Sequence, residues 1–104
     1  MLDAARMVVK LVHGKSRQAV QRDEVLMLAL VHLLEVLGEA AKAVSGEVRR
    51  QAPTIPWRDL AGTRDRLIHG YFDVDLDIVW QIVTRDLPPL IEALERLVTE
   101  RKDG

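Results

Sequence analysis

The segment EVLMLALVHLLEVLGEAAKAV, Glu24 to Val44, is apolar on nearly every side of a helix. Beyond its first residue, the polar side chains recur at steps of three and four and therefore share one helix face. These residues are His32, Glu35, Glu39 and Lys42. The segment's longest apolar run, Val25 to Val31, is followed by His32, Glu35 and Glu39, and is too short and too charged to span a bilayer. We therefore predict a buried central helix from about Arg22 to Val44 that carries a single polar stripe.

The flanking sequence predicts further helices on both sides of this central one. A first helix should run from about Leu2 to Val12 and stop near Gly14, and GEVRRQ (residues 46–51) should form a short helical piece. The remaining predicted helices follow Pro56, span about Leu76 to Asp86, and span Pro89 to Arg101. These elements indicate an all-α fold, an up-and-down bundle of four to five helices in one domain over residues 1–104.

Composition excludes several classes of protein. The 104 residues contain no cysteine, which removes disulfides and thiolate metal sites. Charges at Asp3, Arg6 and Lys10 interrupt the apolar N-terminus, so a secretory signal is not expected. We expect a cytoplasmic protein with no membrane span.

Charge is distributed unevenly although the net charge is only −1. From Lys42 to Arg66 there are six basic residues and three acids, whereas from Phe72 onward there are eight acids and four bases. A local positive surface near residues 64–71 is one interpretation, and ordinary solvated helix faces are the other.

The stretch RDRLIHGY, Arg64 to Tyr71, places an arginine within an apolar helical stripe. The stripe comprises Trp57, Leu60, Ala61, Arg64, Leu67, Ile68 and Tyr71. Arg64 thus occupies a predicted core position, and a guanidinium there needs a carboxylate partner or a wet cleft. The structural interpretation pairs it with Glu35 or Glu39 across the bundle. The functional one leaves Arg64 facing a phosphate at a dimer interface.

On a regular helix, Tyr71 shares the face of Arg64 and His69 does not. His69 lies five residues on, about 140° around the helix, whereas Tyr71 lies seven residues on and shares the face of Arg64. Spacing alone therefore favours a structural role for His69 over a catalytic one. For the two to meet at one phosphate, the helix must distort near Gly70 or the arginine must reach around.

RDRLIHGY resembles the Arg-x4-His-x-Tyr motif of the HEPN superfamily, and specifically of its HepT-like (DUF86) family. Further segments are similar to that family in the same order, so the resemblance covers about half of the chain. They are LEVLGEAAK (34–42), IPWRDLAGTRDRLIHGYFDVD (55–75) and VWQIVTRDLPPL (79–90). Asp65 stands where many members have asparagine, which stays within the family pattern.

This resemblance implies a dimeric helical bundle in which two motif helices form a shared cleft. It implies a metal-independent endoribonuclease, the toxin of a type II toxin–antitoxin pair, that cuts RNA by 2′-hydroxyl attack. The partner would be an MntA-like nucleotidyltransferase antitoxin that silences the enzyme by AMPylation of the motif tyrosine. Carried over by residue, Arg64 and His69 are catalytic, Tyr71 accepts AMP, and Asp65 is the polar residue between. No cofactor or metal is implied.

The residue types suit this chemistry. Histidine titrates near neutral pH and can act as general base or acid, and arginine offers a fixed forked charge to phosphate oxygens. We expect Glu39 to help position the motif helix and His32 to join a buried polar network rather than a metal site. Trp57 and Trp80 should be core or interface anchors.

Two other functions stay open. One is a HEPN module without catalysis that binds nucleotide or a partner protein, with Arg64 paired structurally. The other is a plain helical dimer without a ligand, which would leave an arginine in an apolar stripe unexplained.

Overall fold

The computed structural model describes residues 1–67 and 75–103, with side chains through Thr99. Within these ranges the chain is helical and has no strand. The segments are α1 (Leu2–Val12), α2 (Arg17–Arg22), α3 (Glu24–Ala43), α4 (Gly46–Gln51), α5 (Trp57–Ala61), α6 (Thr63–Leu67), α7 (Leu76–Gln81), a π-helical turn (Ile82–Asp86) and α8 (Leu87–Asp103). The predicted all-α class is confirmed.

Polar side chains cap four of these helices, α2, α3, α4 and α7, at their first turns. The hydroxyl of Ser16 accepts from the Ala19 amide, and Asp23 Oδ1 accepts from the Leu26 amide at 3.0 Å. The sequence before α7 offers Asp75 or Asp77 as its cap, and Asp75 Oδ1 accepts from the Ile78 amide at 3.1 Å. Each cap satisfies an amide that the first helical turn leaves without a partner.

The helix α3 is the centre of the fold. It contacts α1 and α2 on one side and α5 and α6 on the other, while α8 packs against α1. Its buried positions recur at steps of three and four, which gives one core-facing side; they are Leu26, Leu30, Leu34, Leu37, Gly38 and Ala41. The core is therefore built around one face of α3 rather than around the whole helix.

The prediction that α3 is a buried helix exposed only along one polar stripe is wrong, because apolar side chains are exposed as well. Val25 is 77% exposed and Leu28 is 72% exposed, and His32 is exposed as well, so His32 does not join a buried polar network. The molecule is only 18 Å thick in its thinnest direction. Since one helix with its side chains is about 10–12 Å across, a molecule of this thickness consists of few helical layers.

The prolines Pro88 and Pro89 do not separate two helices, although the sequence predicted one helix to end near Asp86 and another to begin at Pro89. The chain stays helical from α7 into α8 and passes through the π-helical turn just before them. Each proline lacks a backbone N–H donor and its ring crowds the preceding turn, so the α-helical pattern of hydrogen bonds cannot continue unchanged. A single wider turn absorbs this mismatch and keeps the helix in one piece.

Candidate functional site

The helix α6 carries the motif residues that the structure describes, and α5, which precedes it, begins with a tryptophan that anchors it to the core. Trp57 is 8% exposed and its Nε1 donates to the Ala52 carbonyl at 3.0 Å. Ile55, two residues before it, is also buried. The connection that precedes the motif is thereby pinned to the core, and Trp57 is a core anchor as predicted.

Gly62 separates α5 from α6, and Thr63 then takes the buried position. Thr63 is 2% exposed, and its hydroxyl donates to the Leu60 carbonyl at 2.6 Å. A local bond of this kind satisfies a buried hydroxyl and bends the helix. The buried side of α5 and α6, which faces α3, accordingly consists of Leu60, Thr63 and Leu67.

A glycine on α3 makes this approach possible. A Cβ placed on Gly38 would lie 2.8 Å from the Leu60 carbonyl oxygen and 3.4 Å from the Thr63 Cβ. Backbone thus meets backbone where α3 crosses the motif. Sequence reasoning missed both Gly38 and Thr63, although an isolated glycine within a strongly helical segment is a recognised sign of close packing.

Arg64 does not occupy a core position, contrary to the sequence prediction. It is exposed, because Thr63 turns towards Gly38 and leaves the next residue on the outer flank of α6. Within the described residues it forms no ion pair, and Glu39 bonds instead to Lys42 at 3.1 Å on its own helix. The cross-bundle pairing of Arg64 with Glu35 or Glu39 is therefore absent from the described structure.

The other predicted site residues lie near α6 in sequence, and the structure describes only some of them. Asp65 is exposed beside Arg64, and Glu39 is exposed on α3, where its ion pair holds it to Lys42. His69 and Tyr71 lie outside the described residues. The structure therefore leaves Arg64 and Asp65 exposed on α6, and no ion pair among the described residues joins Glu39 to Arg64.

The end of α6 is fixed to the start of α7. The Asp75 amide donates to the Leu67 carbonyl at 2.7 Å, so the last residue of α6 lies next to the residue that caps α7. In addition, Arg66 Nη2 of α6 lies 3.9 Å from Asp86 Oδ2 in the π-helical turn. These two contacts set the position of the motif relative to the last helix.

Metal binding finds no support in the residues that the structure describes. Among them, no group of three or more histidine and carboxylate side chains is close enough to hold an ion. None of their helices combines the length and the apolar character needed to cross a membrane.

Comparison with known proteins gives a consistent result. The model of a family described as "Ribonuclease HepT-like" matches residues 1–97. A provisionally named RNase of Caldanaerobacter subterraneus subsp. tengcongensis is 33% identical, over 98% of this chain and 91% of that protein. A protein of Thermococcus cleftensis named "Probable ribonuclease HepT" is 41% identical, over 72% of this chain and 68% of its own. No solved structure matches the chain.

Proposed function

The chain belongs to the HepT-like ribonuclease family, and on that basis we propose that it is a metal-independent endoribonuclease of the cytoplasm. Its domain would span residues 1–104, with Arg64 and His69 as catalytic residues. The observation that carries this proposal is the exposed guanidinium of Arg64, which no carboxylate of the described residues neutralises. A fixed positive charge kept free at the surface is suited to a phosphate.

RNA cleavage without a metal needs three contributions. A base removes the 2′-hydroxyl proton, a cation offsets the charge that grows on the phosphate, and an acid protonates the leaving 5′-oxygen. Arg64 supplies the cation, and His69 serves as base or acid. One histidine cannot fill both roles in a single pass, so the partner subunit's His69 or solvent completes the set. Asp65 and Glu39 have supporting roles.

A second copy of the chain is the proposed occupant of the exposed face of α3. We name this the α3 apolar face; it consists of Val25, Met27, Leu28, Val31 and Leu76. The chain exposes 6913 Å², whereas a folded monomer of 11.8 kDa exposes about 5900 Å². The surplus is comparable with the roughly 800 Å² that each partner buries in a stable dimer. Leu76 follows Asp75, whose amide bonds to the Leu67 carbonyl, so this face also reaches the end of α6.

We also propose that the enzyme is a toxin silenced by a partner. The partner would be a nucleotidyltransferase antitoxin that transfers AMP to Tyr71. A phosphodiester on Tyr71 adds negative charge close to Arg64 in sequence and competes with RNA for the guanidinium. This part of the proposal rests on membership of the family and on the motif Arg64 to Tyr71.

RNA cleavage by purified full-length protein in the presence of EDTA tests the enzyme directly. We expect fragments that end in a 2′,3′-cyclic phosphate. His69→Ala should lower the rate by about two to four orders of magnitude, the usual contribution of a general acid or base. Arg64→Ala should abolish cleavage while the circular dichroism spectrum keeps its helical signal.

The matched control for this experiment is Arg58→Ala, which removes an equally exposed arginine from α5. We expect its cleavage rate to stay close to that of the wild type. A requirement for magnesium, or wild-type rates in both motif variants, would overturn the proposal. RNA or nucleotide binding without any cleavage would instead favour a non-catalytic HEPN module.

A further inference from the structure

A groove lies between α8 and the connection that precedes the motif. We name it the α8 groove; one wall is formed by residues 54–56 and the other by Arg85, Pro89, Ala93 and Arg96. The cavity measures about 360 Å³, and a second cavity of about 290 Å³ continues it past Thr54 towards Gln51. The groove is thus extended along the helix.

The α8 wall owes its shape to the order of its residues. Arg85, Pro89, Ala93 and Arg96 follow one another at steps of four, four and three, so they lie on one face of the helix. Ala93 has the smallest side chain of the four and leaves open space between the other three. The two arginines are therefore separated by a shallow apolar surface, which we call the apolar bed and which Pro89 and Ala93 form.

The opposite wall is held in place before any ligand arrives. The Ile55 amide donates to the Ala52 carbonyl at 3.2 Å, and Trp57 Nε1 donates to the same carbonyl at 3.0 Å. The rings of Pro53 and Pro56 restrict the backbone further. A wall fixed in this way loses little conformational freedom when a ligand binds.

The groove carries two exposed arginines, and Glu92, four residues before Arg96, lines the neighbouring cavity beside that arginine. Within residues 1–67 and 75–99, neither Arg85 nor Arg96 forms an ion pair. The acid that lines the groove, Asp86, lies 3.9 Å from Arg66. The two arginines of the groove contrast with the sequence from Phe72 onward as a whole, which contains twice as many acids as bases.

The groove also leads to the motif. Asp86 forms one end of it and contacts Arg66 of α6, two residues from Arg64. Arg64 and Arg66 point to nearly opposite sides of α6, so an RNA strand bound at Arg64 would pass around this short helix before it enters the groove. Two arginines at the ends of an apolar bed match a nucleic acid strand whose phosphates bind the cations while a base or ribose covers the bed.

We propose that the α8 groove binds a single-stranded segment of the RNA substrate next to the cleaved phosphate, with Arg85 and Arg96 as its phosphate contacts. The inference rests on the proposed ribonuclease function and adds a substrate-binding subsite to it. Single-stranded RNA is favoured over duplex because the bed is narrow and apolar and only an unpaired base can enter it.

Fluorescence anisotropy with the full-length protein and a non-cleavable 2′-O-methyl oligouridylate tests the subsite. The variant Arg85→Ala/Arg96→Ala should raise Kd at least about tenfold, because two charge-assisted contacts are lost. The slope of log affinity against log salt should become shallower by about 1.4, at about 0.7 per phosphate contact. The control Lys10→Ala/Lys15→Ala removes the same charge outside the groove and should change Kd less than about twofold.

The length of the probe gives an independent readout. The wild type should bind an oligomer of about 12 nucleotides more tightly than one of about 4, and the groove variant should lose this preference. In cleavage assays the variant should raise KM more than it lowers kcat, unlike Arg64→Ala.

The outcomes separate this inference from the proposed function. If the wild type cleaves RNA and the groove variant keeps its Kd, salt slope and length preference, the subsite is wrong and the ribonuclease stands. If a duplex of the same length binds as tightly and with the same dependence on Arg85 and Arg96, the single-stranded assignment is wrong. If the wild type neither binds nor cuts RNA, both fail.

Discussion

Thr63 and Arg64 are adjacent candidates for one position on the side of the motif that meets α3. Steps of three and four both continue a helical stripe from Leu60, so the sequence pattern does not distinguish them. The structure selects Thr63, because Gly38 lets the two backbones approach and the threonine hydroxyl bonds to the Leu60 carbonyl. Arg64 is thereby left exposed on the surface of α6.

Gly38→Ala tests whether this close approach supports the motif. The added methyl would meet a backbone carbonyl at 2.8 Å, and a carbonyl cannot move aside as a flexible side chain can. We expect a loss of about 1–3 kcal/mol in the free energy of unfolding, the usual cost of overpacking, measured by urea denaturation. RNA cleavage should fall as well, because α6 would shift.

Gly46→Ala is the matched control, since its added methyl would meet only the far end of Arg50 at 3.4 Å. This variant should be neutral or should gain about 0.4–1 kcal/mol through reduced freedom of the unfolded chain. Equal stability of Gly38→Ala and the wild type would show that α3 and the motif do not need this contact.

Tyr71 carries the regulatory prediction at the residue scale. Co-expression with the proposed nucleotidyltransferase partner should add one or more AMP masses to a peptide that contains Tyr71, as read by mass spectrometry. Tyr71→Phe should escape silencing while its helical content stays unchanged, because only the acceptor hydroxyl is removed. Modification mapped to another residue, or full silencing of Tyr71→Phe, would refute the assignment.

At the scale of elements, local signals predicted several helices closely. The predicted Leu2–Val12 helix is α1, the piece GEVRRQ is α4, and Asp75, one of the two candidate residues, caps α7. Caps, glycines and apolar periodicity act over a few residues, so the sequence states them directly. The interruption at Gly62 and the π-helical turn depend on contacts with α3 and on the proline pair, which periodicity does not report.

The end of α3 offers a test of how elements are joined. Arg49 on α4 reaches back, and its Nη2 donates to the Ala41 carbonyl at 2.8 Å and to the Lys42 carbonyl at 3.4 Å. These carbonyls belong to the last turn of α3, where positive charge is also favourable. The guanidinium therefore caps the central helix from the next element.

Arg49→Ala should lower the free energy of unfolding by about 1 kcal/mol, measured as a shift of the urea midpoint. The value stays at the low end because Arg49 Nε is buried without a partner within the described structure, which offsets part of the gain. Arg50→Ala removes the adjacent exposed arginine and should change stability by less than about 0.5 kcal/mol. Equal losses in the two variants would rule out the capping role.

At the scale of the whole molecule, the sequence could not tell a buried helix from an interface helix. Both need apolar side chains all round, and only the arrangement of the other helices decides which face stays open. In this thin molecule, α1, α5 and α6 cover α3 on two sides and leave Val25 and Leu28 exposed. The near-uniform apolar character of α3 is thus explained if a second copy covers the open face.

Light scattering at micromolar concentration should accordingly report twice the chain mass of 11.8 kDa. Leu28→Asp should yield a monomer, because it places a charge at the centre of the α3 apolar face. Leu28 is 72% exposed in the single chain, so the helical signal and the urea midpoint of the monomer should change little. RNA cleavage should fall with the dimer fraction if the cleft is shared.

Val98→Asp places the same charge on another exposed apolar residue, 41% exposed on α8, and should remain dimeric and active. This control separates loss of the interface from a general effect of added charge on a protein whose net charge is only −1. A wild-type monomer would argue against the shared cleft, because each Arg64 would then act without a facing motif. A Leu28→Asp dimer with full cleavage would instead assign the interface to another face and leave the exposed side chains of α3 to a different partner.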